Sequence, residues 1–401
     1  MESKIDEDNI NSYNSFKVIS PSSTLLSSLS SMSPPPSPVS PSRKVMKKSE
    51  ETNTELPSDM LETIYKKLDF DELFQFGGVC EDWRKVHKNE RENVMKSRAP
   101  LVIQTSSYAK KIYFFFSISK HEMYSTKLAN FWRLSYLGFS SGSVIMENYQ
   151  SDKILIMNPF IRRKIEISTR SLISYPIPSS CNVTLAFVKG TQDFIIAFLC
   201  KSNFSLDIYD SRKSSWFTYS RYGRPFMIAD LVVLNHTMFF ITNTAKIGEL
   251  RLNRNHGKEL FLELKNAPNI TSSTLRLISC DGNLLVVNFR PRIFLEVYKI
   301  DMLRMEWVRL ESLGDFALFL TLQRKCYTLR NPEKWGYEKN HLYYINGESA
   351  KCFVYSMENE LVKSNMPYRA LPASSNSKSK LYWLDWCFPN ERDEIDYSIM
   401  Q

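Results

Sequence analysis

The chain is 401 residues long with 43% hydrophobic and 13% aromatic content, enough to bury a sizeable core in about two domains plus tails, which excludes a wholly disordered scaffold. The +9 formal charge arises from residues 99–401, where 38 Lys and Arg face 27 Asp and Glu, residues 1–98 being slightly acidic; this excess suits an acidic partner surface, and nucleic acid is not the expected partner. The longest apolar runs, such as FIIAFL at 194–199, fall short of the roughly 20 residues of a membrane helix, and the acidic start MESKIDEDNINS lacks the order of a signal peptide, so cytoplasm and/or nucleus is expected, with no membrane partner.

Residues 1–54 are expected to be a disordered Ser/Pro-rich tail. Fifteen of the first 50 residues are serine and six are proline, a composition that buries too little apolar surface to offset chain entropy. Four Ser-Pro steps, at Ser20, Ser33, Ser37 and Ser40, are candidate phosphorylation sites for proline-directed kinases.

Residues 55–98 change texture. In LPSDMLETIYKKLDFDELFQFGGVCEDWR, Leu61, Ile64, Tyr65 and Leu68 fall on one helical stripe. Ser58 or Asp59, after Pro57, is expected to cap the first turn. A second short helix is expected from Asp71 through Leu73, Phe74 and Phe76, and a third carries Val79, Cys80, Trp83 and Val86. About thirty residues cannot bury a core alone, so these helices either fold back on the rest of the chain or dock on another protein.

The residues Leu56, Pro57, Leu61, Ile64, Leu68, Leu73, Val79, Cys80 and Trp83 resemble, in order and spacing, the F-box. That resemblance implies docking on the Skp-type adaptor of a Skp–cullin–F-box ubiquitin ligase, with these nine side chains as the adaptor-binding set. Gly77-Gly78 depart from the pattern. As a break between helices they are harmless; inside a helix each costs about 1 kcal/mol relative to alanine and weakens docking.

From residue 99 to 389 the texture is β. KIYFFFSIS, SVIMEN, KILIMNPF, NVTLAFV, DFIIAFLC, SLDIYD, MFFITN, NLLVVNF, FLEVYKI, HLYYIN and CFVYSM are short Val-, Ile-, Phe- and Tyr-rich runs bounded by turn residues. Without long intervening helices the sheets should be antiparallel. Asn158, Tyr209, Leu250, Tyr298 and Tyr355 close equivalent strands at separations of 51, 41, 48 and 57 residues, the period of a four-stranded propeller blade. The expected architecture is mainly β, a three-helix F-box followed by a β-propeller of about six blades; seven blades and a pair of β-sandwiches stay open. Residues 390–401 are expected to form a C-terminal tail. The one tight basic cluster here, Arg162-Arg163-Lys164, follows a strand.

The segments YLGFSSGSVIMENYQSDKILIMNPFIRRKIEI, VVLNHTMFFI, FLEVYKIDMLRMEWVRLESLGDFALFL, NHLYYIN…CFVYSMENELV and the terminal WCFP resemble, in that order, the KIB-type domain of plant F-box proteins, which implies a β-propeller. The turns Ser140-Ser141-Gly142-Ser143 and Asn235-His236 depart from that family's usual pattern.

No phosphate loop, nucleophile elbow or zinc motif occurs, and the five histidines are isolated. Asp210, Asp281, Asp315 and Asp385 sit in turn-like contexts that suggest loop hydrogen bonds rather than a carboxylate pair. The seven cysteines, without C-x-x-C spacing, are expected to be reduced, buried thiols. No catalytic residue, metal site or cofactor is expected. Tyr222, Phe226, Trp335, Tyr337, Trp383 and Trp386, in less regular stretches, are candidate target-binding anchors, with core packing as the alternative for each. The implied function is a non-enzymatic substrate receptor that holds an unknown target protein near the ligase. The alternatives are an adaptor-bound protein that sequesters its target without a ligase role, and a carbohydrate-binding propeller module.

Overall fold

The computed structural model describes residues 56–400 apart from short stretches, of which 128–133, 170–180 and 367–380 are the longest. The Ser/Pro tail and its four Ser-Pro steps lie outside the described residues.

Three helices come first, α1 (Ser58–Tyr65), α2 (Phe70–Phe76) and α3 (Glu81–Lys96). Strands then follow in hairpins, because each apolar run is short and ends at residues that accept a tight turn. Blade 1 holds β1 (Leu101–Ser106), β2 (Ile112–Ser117) and β3 (Glu122–Lys127); blade 2 holds β4 (Leu134–Ser140), β5 (Ser143–Asn148), β6 (Lys153–Asn158) and β7 (Arg163–Ser168). Blade 3 comprises β8 (Asn182–Val188), β9 (Phe194–Cys200), β10 (Ser205–Asp210) and β11 (Ser215–Ser220). Blade 4 comprises β12 (Ile228–Leu234), β13 (Thr237–Thr242), β14 (Ile247–Leu252) and β15 (Gly257–Phe261). In blade 5 are β16 (Arg276–Cys280), β17 (Asn283–Arg290), β18 (Phe294–Asp301) and β19 (Glu306–Leu310). In blade 6 are β20 (Phe316–Thr321), β21 (Tyr327–Arg330), β22 (His341–Asn346), β23 (Lys351–Ser356) and β24 (Val362–Met366). The chain ends with β25 (Leu381–Cys387), β26 (Glu394–Ile395) and α4 (Tyr397–Met400).

These strands form a six-bladed propeller. Strand β25 pairs antiparallel with β1, Leu101 opposite Cys387 and Val102 opposite Trp386, so the end of the chain completes the first blade. Around the axis β25, β4, β8, β12, β16 and β21 pack side by side as the innermost strands, and β20 packs back against β25 to close the ring. The five strand-closing residues read from the sequence all lie on the next-to-outermost strand of their blades: Asn158 on β6, Tyr209 on β10, Leu250 on β14, Tyr298 on β18 and Tyr355 on β23.

Blade 6 departs from the regular pattern. Its order is β21-β20-β22-β23-β24, with β20 and β22 parallel. A parallel pair needs a crossover rather than a two-residue turn. Here β21 and a 3-10 turn at Pro332–Trp335 supply it.

The apolar core is a set of wedges between blades. Ile145, Ile156, Leu185 and Phe198 fill the gap between blades 2 and 3. Leu231, Phe240, Ala197 and Ile208 fill the next, and Val286, Ile241 and Trp307 the one after. Leu318, Val287 and Tyr344 pack between blades 5 and 6. The last wedge runs from blade 6 through blades 1 and 2 and takes in Leu61, Tyr65, Leu73, Phe76, Val86 and Val94 of the helices. The helices therefore bury one side against the propeller, which supplies the core that so short a segment cannot build alone.

Two sequence expectations are corrected here. Cys181 and Cys200 face each other across β8 and β9 and are disulfide-bonded rather than reduced, while Cys80, Cys280, Cys326, Cys352 and Cys387 are free. Asp385 lies not in a turn but on innermost strand β25, 1% exposed. Among the described residues no helix is long and apolar enough to cross a membrane, and no group of three His, Cys, Asp or Glu side chains could hold a metal ion.

Candidate docking face and propeller mouth

Helix α1 carries apolar residues on two sides. Leu61 and Tyr65, one turn apart, point into the core at 3% and 0% exposure. Met60 and Ile64, also one turn apart, stay 53% and 37% exposed. Leu56 is 44% exposed ahead of the helix, and Val79, in the turn between α2 and α3, is 60% exposed. These four make up most of the large hydrophobic side chains that stay exposed among the described residues, the others being Leu260, Leu303 and Val308. A concentration of exposed apolar side chains in one short segment marks an interaction surface.

The nine side chains read as an adaptor-binding set thus divide. Leu56, Pro57, Ile64, Val79 and Cys80 are exposed. Leu61 and Leu73 are buried beneath them, and Leu68 and Trp83 pack partly against the same core. Trp83 lies 4.3 Å from Phe76, centroid to centroid. Met60 was missed by the sequence reading, although its i, i+4 relation to Ile64 was there to find it.

Local chemistry differs from expectation at the start of α1. Pro57 occupies the N-cap position with φ −54° and ψ 146°, and no side chain caps the helix. Proline suits this place because its missing amide would have been an orphan there. The glycine pair lies in the turn after α2: Gly78 donates to Gln75 O at 2.9 Å and Val79 to Phe76 O at 3.2 Å, and α3 begins only at Glu81. The cost of glycine inside a helix does not arise. A Cβ on Gly77 would sit 3.0 Å from Cγ of His87, so the close approach of that ring explains the residue.

The end of the chain packs along the turns of blades 2, 3 and 4 as a strap. β26 pairs parallel with β8, adding to the inner edge of blade 3. The two turns that departed from the family pattern hold this strap. Asn235 and His236 both have positive φ, 47° and 65°, as a two-residue hairpin between β12 and β13 requires, and Nδ1 of His236 donates to Glu394 O at 3.2 Å. Ser141 and Gly142, also at positive φ, turn β4 into β5. The Ser141 hydroxyl donates to Leu185 O at 2.6 Å and accepts the Asp393 amide at 3.0 Å.

Under the strap lies a buried ionic cluster. Lys325 contacts Glu391 at 2.8 Å and pairs with Asp393. Burial alone would lower the Lys325 ammonium, but the carboxylates of Asp393 and Glu391 outweigh it and hold it charged. Burial pushes Glu391 up against the pull of Lys325. Asp385, buried beside Tyr136, whose hydroxyl donates to it at 3.2 Å, is pushed up to about 7 by desolvation, partly offset by Arg324. These groups are engaged in holding strands and strap together.

Of the candidate target anchors, Trp386 and Tyr337 are corrected to core residues. Trp386 is fully buried, its indole donating to Leu320 O at 3.1 Å, and Tyr337 is 2% exposed with its hydroxyl donating to Pro100 O at 3.4 Å. Both pack around Phe319. Phe226 is half-buried edge-on to Phe261. Trp335 is half-buried in the 3-10 turn and lines a cavity of about 380 Å³ together with Lys325 and Tyr327. Tyr222 and the side chain of Trp383 lie outside the described residues.

A helical docking module with an exposed apolar face, anchored on a six-bladed propeller, defines a two-part protein of the F-box class. Residues 54–91 match the F-box domain. Residues 115–356 match the KIB1-4 beta-propeller, and the chain belongs to that family. It is similar to "F-box protein At3g56470" of Arabidopsis thaliana, 20% identical over 78% of this chain and 88% of that protein. It is also similar to "Putative F-box protein At5g66830" of the same plant, 21% identical over 84% of this chain and 94% of that protein.

Proposed function

We propose that the chain is the substrate-recognition subunit of a Skp–cullin–F-box ubiquitin ligase, working in the cytoplasm or nucleus. The F-box binds a Skp-type adaptor and the propeller binds the protein to be ubiquitinated. The observation that carries this reading is the outward apolar face of Leu56, Met60, Ile64 and Val79 on helices whose other side is anchored in the propeller core. The anchorage matters because a receptor contributes to rate by proximity. Helices packed into the same core as blades 1, 2 and 6 hold target and adaptor at a set distance, which loosely tethered ones would not. The chain itself performs no chemistry in this reading.

The test is a pull-down of a plant Skp-type adaptor by the purified full-length chain. The Leu56→Ala, Pro57→Ala double variant is expected to abolish capture. Undiminished capture by a folded double variant would overturn the assignment of the docking face.

A further inference from the structure

Between α3, the outer part of blade 2 and the strap lies a pocket of about 310 Å³, at the small end of the range for small-molecule sites. Three guanidinium groups from distant parts of the chain border it: Arg91 on α3, Arg163 on β7 and Arg392 on the strap. Arg163 and Arg392 both lean on the ring of Phe187, their guanidinium carbons 5.8 and 4.3 Å from its centre. Stacking of this kind orients the planar group and leaves its edge donors available. No carboxylate of a described residue pairs with Arg91 or Arg163, while Glu394 engages Nε of Arg392 at 3.0 Å. The pocket's own carboxylate, Glu391, is turned to Lys325 at 2.8 Å. Ile156, Phe160 and Phe187 supply an apolar wall.

The pocket is built rather than incidental. Asn158 at its edge accepts the Phe160 amide at 2.9 Å, which orders the turn beside Arg163. A Cβ on Gly142 would fall 3.0 Å from Asn158 Nδ2 and 3.1 Å from Pro389 O, so turn, strand and strap meet too closely for any side chain there. Converging cations over an apolar wall select a ligand with both characters. A small inorganic anion would leave the wall unused, and a neutral aromatic would leave the charged guanidinium donors without an anionic acceptor.

We infer that the pocket bounded by Arg91, Arg163 and Arg392 binds an organic anion, a phosphate or carboxylate joined to a small apolar or aromatic body. Such a group comes either as a free small molecule or as a phosphorylated side chain of a bound protein. None of the exposed docking side chains Leu56, Met60, Ile64 and Val79 lines the pocket, so its occupancy and adaptor capture are read by separate measurements.

The experiment is calorimetric titration of the full-length chain with phenyl phosphate, inorganic phosphate, phenol and a short phosphotyrosine peptide. Saturable binding of phenyl phosphate, tighter than that of inorganic phosphate or phenol, is expected. The Arg163→Gln, Arg392→Gln variant should weaken it by about tenfold or more, as loss of charge-assisted hydrogen bonds implies. Asn158→Asp keeps an acceptor for the Phe160 amide while adding a negative charge, and should weaken binding without unfolding the blade. Tighter binding of the peptide than of phenyl phosphate assigns the site to a protein side chain, and the reverse order assigns it to a free small molecule. Absence of saturable binding by either, phenol binding as tightly as phenyl phosphate, or unchanged affinity in both folded variants overturns the inference.

Discussion

The hydroxyl of Tyr65 and Nδ1 of His87 share a hydrogen bond of 2.9 Å that joins α1 to α3. Burial, then the charge of Arg91, hold the His87 imidazolium below its ordinary 6.5, against a hydrogen bond to the Leu73 backbone. The unfolded chain therefore binds the proton more readily than the fold, and this group's contribution is complete above 6.5 and is lost as pH falls below it. Denaturant unfolding followed by circular dichroism should show the wild type losing stability relative to His87→Gln on the acid side of 6.5. In His87→Gln that component of the slope is expected to vanish.

The two sides of the F-box helices should separate docking from folding. Val79→Asp, at an exposed position, is expected to abolish adaptor capture while leaving the melting temperature nearly unchanged. Leu73→Ala, at a buried position in the shared core, should cost about 2–5 kcal/mol of stability. Denaturant midpoints and pull-downs on the same samples check both.

Asp385 gives a pH dependence of opposite sign to that of His87. Its carboxyl rises from 3.8 to about 7 in the fold. Between those values the folded state holds a proton that the unfolded chain has released, so stability declines as pH climbs through the interval and levels off above it. Asp385→Asn keeps an acceptor for the Tyr136 hydroxyl and should flatten this part of the profile. Glu391, raised in the same direction, leaves a residual slope.

Ring closure should depend on Trp386, which fills the wedge around Phe319 and bonds to Leu320 O. Trp386→Ala is expected to destabilise the propeller by about 3–5 kcal/mol. Limited proteolysis should then cut first near β25, since the strand that completes blade 1 has lost its anchor.

The thiols offer a direct count. Cys80 is the exposed one of five free cysteines. A thiol reagent should modify Cys80 in the native protein and all five after unfolding without reductant, with Cys181 and Cys200 appearing only after reduction. Seven reactive thiols on unfolding without reductant would show that the bridge does not form.

Much of the fold was legible because it is local. The short Val-, Ile-, Phe- and Tyr-rich runs became strands, and Asn158, Tyr209, Leu250, Tyr298 and Tyr355 marked one strand in each of five blades because repeating hairpins repeat their turn chemistry. The docking segment was legible for the same reason, since helical spacing is set within a few residues. Blade 6 was not read correctly as a plain four-strand unit, because the parallel pairing of β20 with β22 is a relation across a crossover that no local pattern encodes.

The candidate site was legible only in part. The spacing that picks out Leu61, Ile64, Tyr65 and Leu68 as a stripe cannot say which neighbours are covered, and α1 is apolar on both sides. Packing on the propeller buried Leu61 and Tyr65 and left Ile64 and Met60 outside. Irregular sequence around Trp386 and Tyr337 suggested exposed anchors, yet both lie where blades 6 and 1 meet, a junction made by residues far apart in the chain.

Period, strand identity and the docking segment could thus be read from the sequence, since they depend on backbone preference and side-chain spacing over a few residues. Tertiary structure alone decided the six-fold closure by β25, the strap that pairs with β8, the Cys181–Cys200 bridge, the burial of Asp385 and the meeting of Arg91, Arg163 and Arg392 around one pocket. Each of these joins residues whose proximity is set by how many wedges of apolar side chains it takes to close a ring, a quantity summed over the whole chain.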